Sequence, residues 1–413
     1  MTVRRSPAAL DAAIAVAALL ALVWFAGGQA LLGRIDPALV LPWLALVLVP
    51  FVILERSQQA RGKKPCSPAK AGAHLRPVQN SADRRWAPAF AGARRVLIAI
   101  ILLLLAQGIL AFAFAGQMPW VQLALVGAGA GLATWFASLL AGWRAGRVVR
   151  SVAALLLVGS WFAASHMLLA TLYRAPPAHG ASVTMLTGLP LRWSEGADLS
   201  AMLAQGLNED PALVRLGAAG PVHLVDSLID NPPPSGGALL LAHPRALAPR
   251  ELVAIDAFVR GGGRAVILAD ALTSWPMRHP LGDPRNPPVT SLLTPLLDHW
   301  GVTLGAAPAA DRRIVPVDVE GARLRLVTAG RFEALPSACR AYADRRIVRC
   351  RIGRGEAWLV GDADLLFAPL WEPAPHWAAH LRQADTMEWL ATRLWSEAPR
   401  ALLRPLWISA AAE

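Results

Sequence analysis

The sequence predicts an α-helical transmembrane bundle of about five spans followed by a soluble α/β domain with a mainly parallel sheet. The 413 residues are 55% hydrophobic and only 16% charged, whereas soluble domains are close to one quarter charged. Long apolar runs fill residues 1–173, and short strand and helix patterns alternate over 180–400. An ordinary soluble enzyme is therefore disfavoured.

Five apolar segments predict membrane spans. A helix needs about 20 apolar residues to cross a hydrocarbon core of roughly 30 Å. The segments hold few ionisable residues, since Asp11 lies at the start of the first and His166 lies inside the fifth. The second is the shortest and contains two prolines. The predicted spans are 10–32, 38–54, 96–115, 120–143 and 152–173.

The distribution of basic residues predicts the orientation. Residues 1–173 hold sixteen Lys and Arg but four Asp and Glu, so they carry the whole net charge of +12. Alternate loops are basic and nearly neutral, and basic loops stay in the cytoplasm. We expect a bacterial inner-membrane protein with a cytoplasmic N-terminus and a periplasmic C-terminal domain. The high charge therefore indicates topology and membrane lipid contact, and no nucleic-acid partner is expected.

The basic loop 55–95 is unlike its neighbours. It consists of two similar halves rich in Pro, Ala and Gly, and it resembles a translated palindromic repeat. Such a composition predicts a disordered cytoplasmic insertion. The alternative is a tether for nucleic acid or anionic lipid.

The pattern beyond residue 180 predicts a β-α-β unit. Residues 238–242 and 264–270 are continuous apolar runs, typical of buried parallel strands. A helical pattern opens at Pro249 and stops at three consecutive glycines, which end helices. Further patterns predict a strand at 183–188, a helix at 199–206, a hairpin at 345–360 and a long closing helix at 377–395.

Two segments carry a family resemblance. Residues 239–270, from Leu-Leu-Leu-Ala-His-Pro to Ile-Leu-Ala-Asp, and residues 353–366, with Gly-Asp-Ala-Asp, resemble the GldG-type auxiliary proteins of ABC-type transport systems. The resemblance covers about residues 180–370 and excludes the predicted spans. It implies a flavodoxin-like domain, similar to class I glutamine amidotransferases. It also implies an ABC permease and ATPase as partners.

Catalytic motifs are missing from the sequence. An amidotransferase needs a cysteine nucleophile at a sharp strand-to-helix turn, where this chain has Ala242-His-Pro244. No Gly-x-Ser-x-Gly, Walker A or His-Glu-x-x-His motif occurs. We therefore expect no catalytic residues and no cofactor, and the sequence favours a non-enzyme. Cys339 and Cys350 flank the predicted hairpin and form either a disulfide or two free thiols.

Polar residues follow two of the predicted strands. Open α/β sheets bind ligands at the carboxyl ends of their strands, where Asp270, Asp362 and Asp364 lie, and His279 and Asp283 occupy the loop after Asp270. These five residues are the ligand-binding candidates, for a divalent metal or a sugar-like ligand. The alternative is that the aspartates cap helices or brace loops.

Two functions fit these observations. The first is a non-enzymatic membrane accessory subunit, whose periplasmic domain binds a partner or an envelope ligand. The second is a membrane-anchored hydrolase acting on an envelope glycan or peptide, which requires the acidic candidates and His279 to converge in one cleft. His166 is either functional or a neutral imidazole bonded within the bundle.

Overall fold

The computed structural model describes residues 7–62, 83–193, 208–280, 282–283, 285–308 and 312–408. The chain forms two compact units. The first comprises Met1–Tyr173, Ala378–His380 and Leu403–Glu413, and the second comprises Arg174–Trp377 and Leu381–Leu402. The chain therefore returns to the first unit twice after leaving it at Tyr173.

The first unit is helical. Its helices are α1 Pro7–Phe25, α2 Gln29–Leu32, α3 Leu44–Gly62, α4 Asp83–Ala115, α5 Trp120–Gly142 and α6 Arg147–Leu172. A 3₁₀ helix, Pro37–Trp43, precedes α3. Gly129 of α5 is buried against Leu41, since a Cβ at this position would lie 2.3 Å from Leu41 Cδ1. The absence of a side chain at Gly129 thus allows α5 to pack closely against the 3₁₀ helix.

Four segments of the described chain are long and apolar enough to cross a membrane: Pro37–Arg56, Arg95–Ala115, Trp120–Gly142 and Arg147–Leu172. The first predicted span is interrupted, because the apolar helix Ala12–Phe25 is followed by Gly28 at φ 75° and then by the short α2. Within the insertion predicted to be disordered, residues 55–95, α3 continues to Gly62 and α4 starts at Asp83. Residues 63–82 of this insertion lie outside the described residues.

The second unit is built on a sheet. Its strands are β1 Val183–Thr187, β2 Arg192–Trp193, β3 Asn208–Glu209, β4 Val222–Leu224, β5 Ala238–Ala242, β6 Arg264–Leu268, β7 Thr303–Leu304, β8 Val315–Val319, β9 Ala322–Leu326, β10 Phe332–Ala334, β11 Cys339–Tyr342, β12 Ile347–Ile352 and β13 Gly355–Val360. Its helices are α7 Pro211–Ala219, α8 Pro249–Arg260, α9 Thr294–His299 and α10 Thr386–Leu394.

The main sheet has seven strands in the order β11-β12-β13-β6-β5-β1-β4. The five adjacent strands β13, β6, β5, β1 and β4 run parallel to one another. The strands β12 and β11 extend the sheet beyond β13 in antiparallel pairing. This confirms the mainly parallel sheet. Leu239 and Leu241 of β5 pack with α8 and α9, whereas Leu240 packs with α7 and α10 on the other face. The sheet therefore lies between two helical layers, which explains its continuous apolar strands.

The structure bears on the two helices predicted at 199–206 and 377–395 in different ways. The long helix predicted at 377–395 is wrong, since only Thr386–Leu394 is α-helical. The residues before this helix make tertiary contacts instead. Asp385 donates its backbone N–H to Arg323 O, and Ala378–His380 belong to the first unit. The helix predicted at 199–206 lies outside the described residues.

Candidate functional site

The candidate site lies at the carboxyl edge of the parallel strands. Along the chain, β4 is the next strand of the main sheet after β1, and it lies beside β1 at one end of the sheet. The later strands β5, β6 and β13 lie on the opposite side of β1. Connections that leave a strand in opposite directions open a crevice at its carboxyl end, where α/β proteins bind ligands. The loops after β6 and β13 carry every acidic residue predicted for the site.

The structure brings three of the predicted residues together. Asp270, Asp362 and Asp364 each offer a carboxylate oxygen within 4.8 Å of the others. Their exposed fractions are 0%, 0% and 1%. We call these residues the aspartate cluster. The spacing is compatible with a divalent cation, since carboxylate oxygens are the ligands that hard cations prefer.

Backbone and hydroxyl donors occupy most of the cluster oxygens. The Asp362 carboxylate accepts bonds from Val327 N at 2.6 Å and Asp364 N at 2.7 Å. Asp364 accepts from Ser274 N at 2.6 Å and from Thr273 Oγ1 at 3.1 Å.

Asp270 completes this arrangement. Its Oδ1 accepts from Leu272 N at 3.1 Å, and its Oδ2 has no hydrogen-bond partner among the described residues. The cluster thus ties together the loops after β6, β9 and β13. These bonds are the ones that the loop-bracing alternative requires.

Burial of like charges changes the protonation of the cluster. Burial, and then the charge of Asp364, raise the pKa of Asp270 to about 8. Burial and the charges of its two neighbours raise the pKa of Asp362 well above its ordinary value. No ion pair within the described residues involves the cluster. Because no basic side chain among the described residues balances the charge, we interpret Asp270 as a carboxyl that retains its proton near neutral pH.

His279 and Asp283 lie apart from the cluster, in the loop after β6. The buried Asn286 side chain fixes this loop through His279 N at 3.1 Å and His279 O at 2.8 Å. Asp283 binds Arg285 through both carboxylate oxygens, and these bonds hold the pKa of Asp283 well below its usual range. Neither residue belongs to the group of carboxylates that lie within 4.8 Å of one another.

A cavity of about 250 Å³ lies at this loop. Arg245, in the turn after β5, closes one side and donates to Asn286 O at 3.0 Å. We call this cavity the carboxyl-edge cleft. It is lined by Arg245, Met277, Gly282, Asp283, Asn286, Pro287, Pro288, Val289 and Leu292. Sequence reasoning missed Arg245 and Asn286, although the histidine-proline turn before Arg245 marks the place.

His243 occupies the turn where an amidotransferase carries its nucleophile. It is fully buried, with φ at 49°, a left-handed conformation that is strained for a residue with a side chain. Its Nε2 lies 2.8 Å from Pro288 O, and because that oxygen can only accept, Nε2 carries the hydrogen. Burial lowers the pKa of His243. The imidazole is thus a neutral structural contact to the loop.

The two cysteines of the hairpin region are bonded. Cys339 and Cys350 face each other across β11 and β12, and a disulfide joins them with their Cα atoms 4.0 Å apart. The bond fixes the antiparallel edge of the sheet.

A buried polar network in the first unit was not predicted. Arg34 and Asp36 form an ion pair at 2.6 Å with both side chains 0% exposed. Tyr173 donates to Asp36 Oδ2 at 2.5 Å, and Arg34 donates to His380 O at 2.6 Å. His166 Nδ1 lies 2.8 Å from His380 Nε2. The sequence feature that could have indicated this network is the opposite charge of Arg34 and Asp36 between two apolar segments.

Comparison with known proteins gives one family and several distant structures. No curated protein matches the chain. An exo-β-1,4-mannosidase from Opitutaceae bacterium strain TAV5 is 13% identical with a TM-score of 0.32, covering 58% of this chain and 39% of that one. A β-galactosidase from Rahnella sp. R3 is 13% identical with a TM-score of 0.29, covering 61% of this chain and 35% of that one. The chain thus spans well under two thirds of these proteins.

The family comparison bears directly on the sequence resemblance. The match begins just before β4, passes through β5, α8 and β6, and ends in β9. It therefore includes residues 239–270, the first of the two segments that carry the resemblance, whereas residues 353–366 lie outside the match. Residues 221–323 match the family described as an ABC-type uncharacterized transport system, which confirms the predicted resemblance to ABC transport auxiliary proteins.

Proposed function

We propose that the chain is a non-enzymatic integral inner-membrane accessory subunit of an ABC-type transport or envelope system. The observation that carries this proposal is the match of residues 221–323 to an ABC-type transport family. The four helices long and apolar enough to cross a membrane support membrane integration. A transport-associated role needs no chemistry in this chain, because a separate subunit would hydrolyse ATP.

A periplasmic location of the second unit completes the proposal. The excess of Lys and Arg in alternate loops of residues 1–173 favours a cytoplasmic N-terminus. The Cys339–Cys350 disulfide supports an oxidising compartment, since cytosolic proteins seldom keep such bonds. Both observations are consistent with five crossings, in which 10–32 counts as the first span.

The second unit would serve as a binding domain. The order of its five parallel strands agrees with a flavodoxin-like arrangement, in which ligands enter at the carboxyl edge. The carboxyl-edge cleft offers the exposed Arg245 beside apolar side chains, and Arg285 neutralises Asp283 there. We infer that a partner or envelope ligand with a negative group binds at this cleft, in which His279 and Asp283 belong to the supporting loop.

The hydrolase alternative has less support. It requires the acidic candidates to face a substrate together with His279. The aspartate cluster is buried, its oxygens accept bonds from neighbouring loops, and no other His, Cys or Glu joins it among the described residues. A glycan chain or peptide would have no access to these carboxylates in this conformation.

Co-purification tests the proposal. The tagged full chain, extracted in mild detergent, should bring an ABC permease and ATPase in fixed stoichiometry. Arg245→Glu should reduce this yield, whereas Arg250→Glu, at an exposed position in α8, should not. Absence of both subunits from the purified material, under conditions in which other transport complexes survive, would overturn the accessory role. A phosphatase fused after residue 408 should be active if the second unit is periplasmic.

A further inference from the structure

Five arginines lie at one end of the first unit, and we call them the arginine rim. Arg56 ends the apolar segment Pro37–Arg56, and Arg95 begins the segment Arg95–Ala115. The connection between α5 and α6 is at the same end, since a Cβ on Gly142, the last residue of α5, would lie 3.4 Å from the Arg56 guanidinium. The rim consists of Arg56, Arg95, Arg144, Arg147 and Arg150.

The helical register brings side chains of the rim from two helices together. Arg56 follows Val52 by four positions on α3, and Arg150 precedes Ala154 by four positions on α6. Val52 and Ala154 pack in one apolar cluster, to which α3, α4, α5 and α6 all contribute. Residues four apart on a helix share a face, so Arg56 and Arg150 continue this packed interface beyond its apolar layers. Arg147 lies three positions before Arg150 and shares its face.

The rim carries more positive charge than its surroundings balance. Within the described part of the first unit, the ion pair that involves the rim joins Arg95 to Glu55 at 3.7 Å, and the other four arginines make none. These four are exposed or partly exposed, so their donors are accessible to a ligand. A guanidinium binds a phosphate through two parallel N–H···O bonds. An anionic group at the rim would therefore relieve the repulsion between like charges.

The surface beside the rim is apolar. Val148 and Val152 of α6 and Leu97 of α4 are large exposed apolar side chains. Trp143, directly before Arg144, is also exposed, and tryptophan is enriched where the hydrocarbon of a bilayer meets its headgroups. Basic clusters at the cytoplasmic ends of membrane helices bind anionic headgroups. These features favour a ligand that joins a phosphate to apolar chains over a free anion.

We propose that the arginine rim binds an anionic phospholipid, whose phosphate is held by Arg56, Arg147 and Arg150. The acyl chains of this lipid lie against Val148 and Val152. The inference rests on the proposed membrane location and orientation, and it adds a lipid class that the accessory role does not specify. An acidic surface of a partner protein is the competing occupant of the rim.

Two short-chain lipids of equal chain length test the headgroup. We would measure the Tm of the full chain in detergent with dihexanoyl-phosphatidylglycerol and with dihexanoyl-phosphatidylcholine. The anionic lipid should raise the Tm by several degrees more than the zwitterionic lipid, and about 1 M NaCl should remove most of this difference by screening. Arg56→Gln with Arg150→Gln should also remove most of it. Arg250→Gln with Arg313→Gln removes the same charge from exposed positions of the second unit and should keep the difference.

Equal effects of the two lipids on the wild type would overturn the proposal. An equal rise in Tm with inorganic phosphate, at the same concentration and ionic strength, would overturn it as well, because the acyl chains would then contribute nothing. If the Arg56→Gln, Arg150→Gln variant kept the lipid preference but lost the permease and ATPase in co-purification, the rim would belong to an acidic partner instead. Flotation with phosphatidylcholine vesicles separates the two levels, since a chain that does not float contradicts the membrane location itself.

Discussion

Replacing Asp270 by asparagine should make the second unit more stable at alkaline pH. The folded carboxyl has a pKa of about 8, against 3.8 as its ordinary value. Between these values the folded chain holds a proton that the unfolded chain has released. Wild-type stability is therefore fully present below about pH 4 and is lost as the pH rises towards 8. An amide is neutral throughout, so Asp270→Asn avoids this loss.

The size of the effect follows from the same numbers. At about 1.36 kcal/mol for each pH unit, a pKa of about 8 against 3.8 corresponds to at most roughly 6 kcal/mol. Asn fits the same space, and its amide can donate towards the neighbouring carboxyls. We expect the variant to differ from wild type by about 1 kcal/mol or less near pH 4. By pH 8.5 it should be several kcal/mol more stable.

Tryptophan fluorescence of the full chain in detergent reports unfolding, since Trp275, Trp358 and Trp389 are buried in the second unit. At about 2–4 °C for each kcal/mol, the Tm of Asp270→Asn should exceed that of wild type by roughly 10 °C at pH 8.5. Asp298→Asn, on the exposed surface of α9, should show the same small difference at both values. A Tm difference for Asp270→Asn that does not change with pH would refute proton retention. A fall in wild-type Tm with EDTA would indicate that a cation neutralises the cluster instead.

Three further predictions concern stability and are measured by the same thermal assay. Arg34→Met leaves Asp36 charged and buried in the first unit, and should cost about 3–5 kcal/mol; an unchanged Tm would contradict the ion pair. Removing the disulfide by replacing Cys339 and Cys350 with serine should lower stability by about 3 kcal/mol, and dithiothreitol should lower only the wild-type Tm. Leu240→Ala opens a cavity beside the sheet and should cost about 2–5 kcal/mol, whereas a loss below 1 kcal/mol would contradict its burial.

The fold was predictable where the signal is local. The central β-α-β unit follows from continuous apolar strands and a helix stopped by glycines, and the structure has β5, α8 and β6 there. The closing helix was overestimated because apolar spacing does not reveal that Ala378–His380 join another unit. The candidate site was predicted in part, since neighbouring parallel strands must bring their carboxyl ends together.

The sequence by itself determined the apolar helices, the alternating α/β pattern and the origin of the net charge, because run length and residue period are local properties of the chain. Only the tertiary structure decided that Asp270 joins residues more than ninety positions away while His279 does not. It also decided that Gln107 Oε1 is buried without a donor among the described residues. Such contacts depend on how loops and helices pack, and this packing sets both the burial of a polar group and the partners within its reach.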